Sequence, residues 1–146
     1  MPIQICGQTI IPDSNGTSSC NTAIGVGVGL ANTSGTHNIA IGYGALLCNT
    51  TGSNNFAAGF ETLYENTEGS NNLAIGCSAL YGNRTGNNNI GIGYNALASN
   101  VEGNNNIAMG CNSLASNVSG NNNNGTLTNG PTFDSSNGGS IVLDGT

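Results

Sequence analysis

Asn38-Ile39-Ala40-Ile41-Gly42-Tyr43-Gly44-Ala45-Leu46, continued by Leu47-Cys48-Asn49-Thr50-Thr51-Gly52-Ser53-Asn54, decides the fold, because after seventeen residues it begins again. Openings of the same form stand at Asn55-Phe56-Ala57-Ala58-Gly59, Asn72-Leu73-Ala74-Ile75-Gly76, Asn89-Ile90-Gly91-Ile92-Gly93 and Asn106-Ile107-Ala108-Met109-Gly110. A sixth copy lies upstream at Asn21-Thr22-Ala23-Ile24-Gly25. The glycine closing each opening falls at 25, 42, 59, 76, 93 and 110, with no insertion or deletion. A fixed period of this kind marks a repeat architecture.

Residues 21 to 122 are therefore read as seventeen columns in six copies (21–37, 38–54, 55–71, 72–88, 89–105, 106–122). Columns two and four are mostly large and apolar, with Ala or Gly between them. That alternation places both on one face of an extended segment. The expected core is thus Ile39, Ile41, Leu73, Ile75, Ile90, Ile92 and Ile107, joined by the column-nine residues Leu46, Leu63, Leu80, Leu97 and Leu114. Glycines interrupt every copy twice, which leaves no room for a helix. Two short strands per copy are expected instead, over columns one to five and seven to eleven. Their corners fall at the column-five glycines (Gly25, Gly42, Gly59, Gly76, Gly93, Gly110) and the column-fifteen glycines (Gly35, Gly52, Gly69, Gly86, Gly103, Gly120). Glycine at a sharp corner supplies φ > 0 at low steric cost. Asn in column twelve tolerates the same region.

Stacking brings each column into line at one strand spacing, about 4.8 Å. Asn recurs at column one in all six copies and at column twelve as Asn32, Asn49, Asn66, Asn83, Asn100 and Asn117, so side-chain amide ladders are expected along the stack. Only three or four sizeable apolar groups serve each rung, a thin core for a lone chain. The small residues of columns three and eight suit close approach by another copy, so oligomerisation is expected. The fold class is all-β: a parallel β-roll or β-solenoid.

Residues 1–20 read as a cap or attachment segment, with two short strands around Gly7. Residues 123–146 read as a turn-rich exit in which the repeat dissolves, and Ser140-Ile141-Val142-Leu143 opens a further strand-like piece. The segment 1–20 has neither the charged nor the apolar region of a secretory leader. No apolar run is long enough to span a bilayer, so membrane insertion is not expected.

Net charge is −6, with Arg84 the single basic residue other than His37, which removes the electrostatic footing for nucleic acid. Cys77 and Cys111 share column six two rungs apart, roughly 9.5 Å, beyond disulfide reach. They are read as buried thiols, and no zinc-type spacing accompanies the five cysteines. His37 is read as a solvated turn residue, and Glu61, Glu65 and Glu68 as carboxylates solvating one exposed rung. No calcium-type Asp column is present. The chain is expected to be no enzyme and to need no cofactor or metal. Asn32, Asn49, Asn83 and Asn117 each open an N-x-S/T sequon and are candidate glycosylation acceptors along one edge.

The opening Asn105-Asn106-Ile107-Ala108-Met109-Gly110 resembles the Asn-Ser-Val-Ala-Ile-Gly motif of trimeric autotransporter adhesin heads. The full unit, with its Ala-Leu-x-x-Asn-x-x-Gly second half, looks closer to the longer-period form in phage and giant-virus fibre proteins and in proteins ending with an endosialidase-type chaperone. The resemblance covers residues 21 to 122 and implies a left-handed roll packed as a homotrimer. Residues 137–146 resemble the opening strand of concanavalin-like or laminin-G-like modules. The expected role is the rigid shaft of a viral tail fibre or surface spike, exposed on the virion. Its partners would be copies of itself, further fibre proteins, and a cell-surface receptor or glycan at a tip. The alternative is a bacterial surface adhesin head binding host or matrix ligands. An ice-binding solenoid is a third class, disfavoured by the lack of a regular Thr face.

Overall fold

The computed structural model describes residues 20–126 and, ahead of them, the backbone of two strands, β1 (Ile3–Ile5) and β2 (Gln8–Ile10). Each copy then contributes one strand: β3 (Thr22–Gly25), β4 (Ile39–Ile41), β5 (Phe56–Ala58), β6 (Leu73–Ile75), β7 (Ile90–Ile92) and β8 (Ile107–Met109). A short β9 (Asn124–Gly125) follows. All nine lie in one sheet in chain order. From β3 onward the pairing is parallel with a constant shift of one copy, as in Ala40↔Ala57 and Ala57↔Ala74. The molecule is an all-β parallel solenoid of about six turns.

β1 and β2 form an antiparallel pair, and β2 runs antiparallel to β3, with Ile10 opposite Ile24. The first rung therefore has its strand edge covered, which blocks the pairing an open edge invites. At the other end the repeat runs further than its large side chains indicate. Asn123 is buried and accepts its place in the column-one ladder, its backbone N–H donating to Asn106 Oδ1 at 2.9 Å. The strand-like piece at 140–143 lies outside the described residues.

The second strand expected in each copy is absent. Columns seven to eleven still bond rung to rung, for example Leu46 N–H to Thr62 O at 3.1 Å and Cys48 N–H to Tyr64 O at 3.1 Å. Yet they also close local turns, Asn49 N–H donating to Leu46 O at 3.2 Å. The cause is a pair of left-handed residues in every such arc. Column seven has φ between +50° and +70° (Gly27, Gly44, Glu61, Ser78, Asn95, Asn112). Column nine has φ of +51° at Leu46, +51° at Leu63, +52° at Leu80, +54° at Leu97 and +48° at Leu114.

Leucine in that region costs about 1–2 kcal/mol per residue. Burying the side chain contributes about 1.5–3 kcal/mol in return, and Leu46, Leu63, Leu80 and Leu97 are all fully buried. Each leucine turns inward across the lumen and meets column three: a Cβ at Gly91 would lie 3.2 Å from Leu80 Cγ. Column three therefore admits only Ala or Gly. The core is this leucine stack, the column-three and column-eight residues (Ala23, Ala40, Ala57, Ala74, Ala108; Val28, Ala45, Ala79, Ala96), and Leu114 packed partly buried at its end. Leu80→Ala keeps the strained φ while emptying the lumen. A loss of about 3 kcal/mol is expected, read as a lower denaturation midpoint with unchanged slope.

The filled lumen reverses the expected facing of the strands. Ile39, Ile41 and Ile75 are not core residues; they point outward and are exposed, as is Met109. Leu73, Ile90, Ile92 and Ile107 sit beside them, half-buried. The alternation has the expected period, but its apolar side faces away from the lumen.

Candidate functional site

The corners establish how rigid the outward face is. Column-five glycines have φ between +122° and +141°, as a sharp corner requires. Column-fifteen glycines do not adopt positive φ; they are needed for space. A Cβ at Gly86 would sit 2.4 Å from Asn83 Oδ1 and 2.4 Å from Gly103 O of the next rung. The left-handed corner residue nearby is instead column seventeen, His37 and Asn54, Asn71, Asn88, Asn105, Asn122, all at φ +57° to +59°. His37 is exposed there. Column-twelve Asn takes no positive φ and serves as a hydrogen-bonding hub.

Asn83 shows the pattern. Its Nδ2 donates to Asn66 Oδ1 at 2.8 Å and to Gly86 O at 3.0 Å, while its Oδ1 accepts from Asn100 Nδ2 at 2.8 Å. The ladder runs from Asn32 through Asn49, Asn66, Asn83 and Asn100 to Asn117. Column one forms a second ladder, whose only sequence signal is the recurring Asn. Asn72 N–H donates to Asn55 Oδ1 at 3.0 Å, and Asn72 Nδ2 reaches Gly86 O at 2.9 Å. Two amides thus clamp each column-fifteen carbonyl. Among the described residues no buried side-chain nitrogen or oxygen lacks a partner, which matters because an orphaned buried group costs about 1–3 kcal/mol.

Upon this frame stands the outward face of columns two to six. It carries Ile24, Ile39, Ile41, Phe56, Leu73, Ile75, Ile90, Ile92, Ile107 and Met109, ten large apolar side chains against four buried leucines and Val28 inside. Ile41 is 39% exposed and Met109 44%. Column six borders the face with Val26, Tyr43, Phe60 and Tyr94, all about half exposed, and the Tyr43 and Phe60 rings stack at 5.2 Å. The thiols in this column are not core fillers: Cys77 is exposed and Cys111 half-buried. Column six leaves the lumen because it follows the corner glycine. No charged residue occurs in columns one to six of any copy.

Within the six copies, charge is confined to the opposite arc. Glu61, Glu65, Glu68, Arg84 and Glu102 occupy columns seven to fourteen. Arg84 Nε and a terminal guanidinium nitrogen both donate to Glu65 Oε2, at 3.1 and 3.0 Å, in an exposed pair. Tyr64 and Tyr81 stack beside it at 5.2 Å, their rings nearly parallel. Partial burial, and after it the carboxylates of Glu61 and Glu65, hold the Tyr81 hydroxyl above the ordinary tyrosine value. Such an exposed pair is worth at most about 1 kcal/mol, so the cluster decorates the arc without holding it.

Among the described residues no group of three or more His, Cys, Asp or Glu is placed to hold a metal ion. No helix there is long and apolar enough to cross a membrane. Of the candidate acceptors, Asn49, Asn83 and Asn117 are inside the ladder, and Asn32 is half-buried at its end. These asparagines therefore do not present their amides along an exposed edge. Comparison with protein-family models, with curated proteins and with solved structures finds no match, so the chain's character rests on its own geometry.

Proposed function

We propose that the chain is a structural shaft segment that assembles with copies of itself through columns two to six. The observation carrying this reading is the inversion of the strands: large apolar side chains outside, alanine inside. Fully burying each Ile, Leu, Phe or Met would contribute about 1.5–3 kcal/mol relative to leaving it in water. A contiguous apolar strip free of charge is the signature of an interaction surface. Its six rungs repeat at a single spacing, so an identical copy laid alongside meets an apolar side chain at every level.

The count of three, and the reading of the assembly as a homotrimeric viral fibre or spike shaft, rest on the resemblance of the repeat to autotransporter heads and to longer-period fibre proteins. In that reading the role is mechanical, reach and rigidity on a virion surface, and recognition of a receptor or glycan belongs to a tip beyond the shaft. Sedimentation equilibrium should return three times the chain mass of 14.5 kDa. The double variant Ile41→Asp, Ile75→Asp should sediment as a monomer while keeping its strand signal, since both side chains point away from the lumen. A parent chain that is a stable monomer at micromolar concentration would sink the assembly.

A further inference from the structure

We infer that N-glycosylation of Asn49, Asn83 or Asn117 and closure of the rod are mutually exclusive, so the chain folds only in a compartment that leaves these sequons bare. The inference rests on the ladder alone and stands apart from the fibre reading. The three sequons are Asn49-Thr50-Thr51, Asn83-Arg84-Thr85 and Asn117-Val118-Ser119.

Transfer of an oligosaccharide from a polyprenyl-pyrophosphate donor forms a bond from Nδ2 to the sugar C1. It breaks the C1–O bond to the pyrophosphate and releases one amide proton. The modified amide keeps a single N–H. In the rod each of these asparagines uses both. Asn49 Nδ2 donates to Asn32 Oδ1 at 3.0 Å and Gly52 O at 3.0 Å. Asn83 Nδ2 donates to Asn66 Oδ1 and Gly86 O. Asn117 Nδ2 donates to Asn100 Oδ1 at 2.7 Å and Gly120 O at 3.1 Å.

Space excludes the sugar more firmly than the lost donor does. Asn83 is 0% exposed, and Asn49 and Asn117 are scarcely more. Even one methyl group added at Gly35 would approach Asn49 Nδ2 to 2.9 Å, and one added at Gly69 would approach Asn83 Nδ2 to 2.6 Å. A sugar attached at that nitrogen must displace the neighbouring rung. Because glycans are added to extended chain, the modification would precede folding and hold the rung open.

The third residue of each sequon separates glycosylation from the ladder. Thr51, Thr85 and Ser119 are exposed, and Ala at those positions abolishes the acceptor signal while every ladder asparagine stays. Asn124, which opens Asn124-Gly125-Thr126, is exposed in β9 and reports whether the chain met the transferase.

The experiment directs the chain, behind an added leader, through the secretory route of a glycosylating eukaryotic host. Protease-resistant and protease-labile fractions are separated, and occupancy of each Asn is mapped by mass spectrometry. The resistant fraction should be bare at Asn49, Asn83 and Asn117 whatever the state of Asn124, and the labile fraction occupied. Thr51→Ala, Thr85→Ala, Ser119→Ala should shift the secreted protein into the resistant fraction, and made in a bacterial cytosol it should match the parent. A glycan found on any of the three asparagines in the resistant fraction overturns the inference. So does a triple variant that, bare at Asn32, stays labile after secretion yet is resistant when made in the cytosol.

Discussion

Gly86→Ala is expected to be among the most damaging single methyl additions in the described part of the rod. The added Cβ would lie 2.4 Å from Gly103 O, 2.4 Å from Asn83 Oδ1 and 2.9 Å from Asn100 Nδ2. None of these can retreat. Gly103 O is backbone clamped by two amides, from Asn89 at 2.8 Å and Asn100 at 3.0 Å, and both asparagines are fully buried. The rungs must part locally, losing ladder bonds on both sides. A loss of about 4 kcal/mol or more follows, at the extreme of single substitutions. Gly29→Ala is the matched comparison: φ there is +55°, but nothing lies within 4 Å of the new atom. It should cost about 1 kcal/mol from backbone strain alone. Denaturant midpoints of the two variants compared side by side check this. Equal losses would mean that column fifteen needs glycine for its dihedral freedom and not for its lack of a side chain.

Asn83→Ala should come second. It orphans Asn66 Oδ1, whose bond to Asn83 is lost, and one N–H of Asn100; Gly86 O keeps its bond from Asn72. Two unsatisfied buried groups at about 1–3 kcal/mol each give a loss of about 4 kcal/mol. Asn83→Asp should be worse, since it replaces the shared donor with a buried charge facing two acceptor oxygens. Asn88→Gly, at an exposed corner with φ +58°, should leave stability nearly unchanged. Hydrogen exchange should place the loss at the rungs on either side of residue 83. Fast exchange confined to the ends of the rod would show that the ladder is not what holds neighbouring rungs together.

Much of the rod is legible in its columns. Seventeen-residue spacing dictates a stack in parallel register, the recurring Leu at column nine marks the lumen, and the recurring Asn at column twelve marks a ladder. Period alone carries these, because stacking puts each column against itself. The glycine columns were legible as necessary, but one glycine can be required for its φ and another for its missing Cβ. Gly42, at φ +123°, and Gly86, outside the left-handed region, look the same in the chain.

What the columns could not supply is the direction of a face. Alternation places Ile39 and Ile41 on one side of a strand and Ala40 on the other; it is symmetric about the strand and names neither side as inside. The opposite wall decides, through leucines at φ near +50°, a conformation that no leucine announces in a sequence. With those side chains filling the lumen, only Ala or Gly fits at column three, and the larger residues must face out. The same wall turns the expected second strand into turns and draws the sequon asparagines into the ladder. The repeat, its register and its ladder thus belong to the sequence by itself. Which residues are core, and which are left for a partner, is settled only when two walls of one turn compete for the same narrow volume.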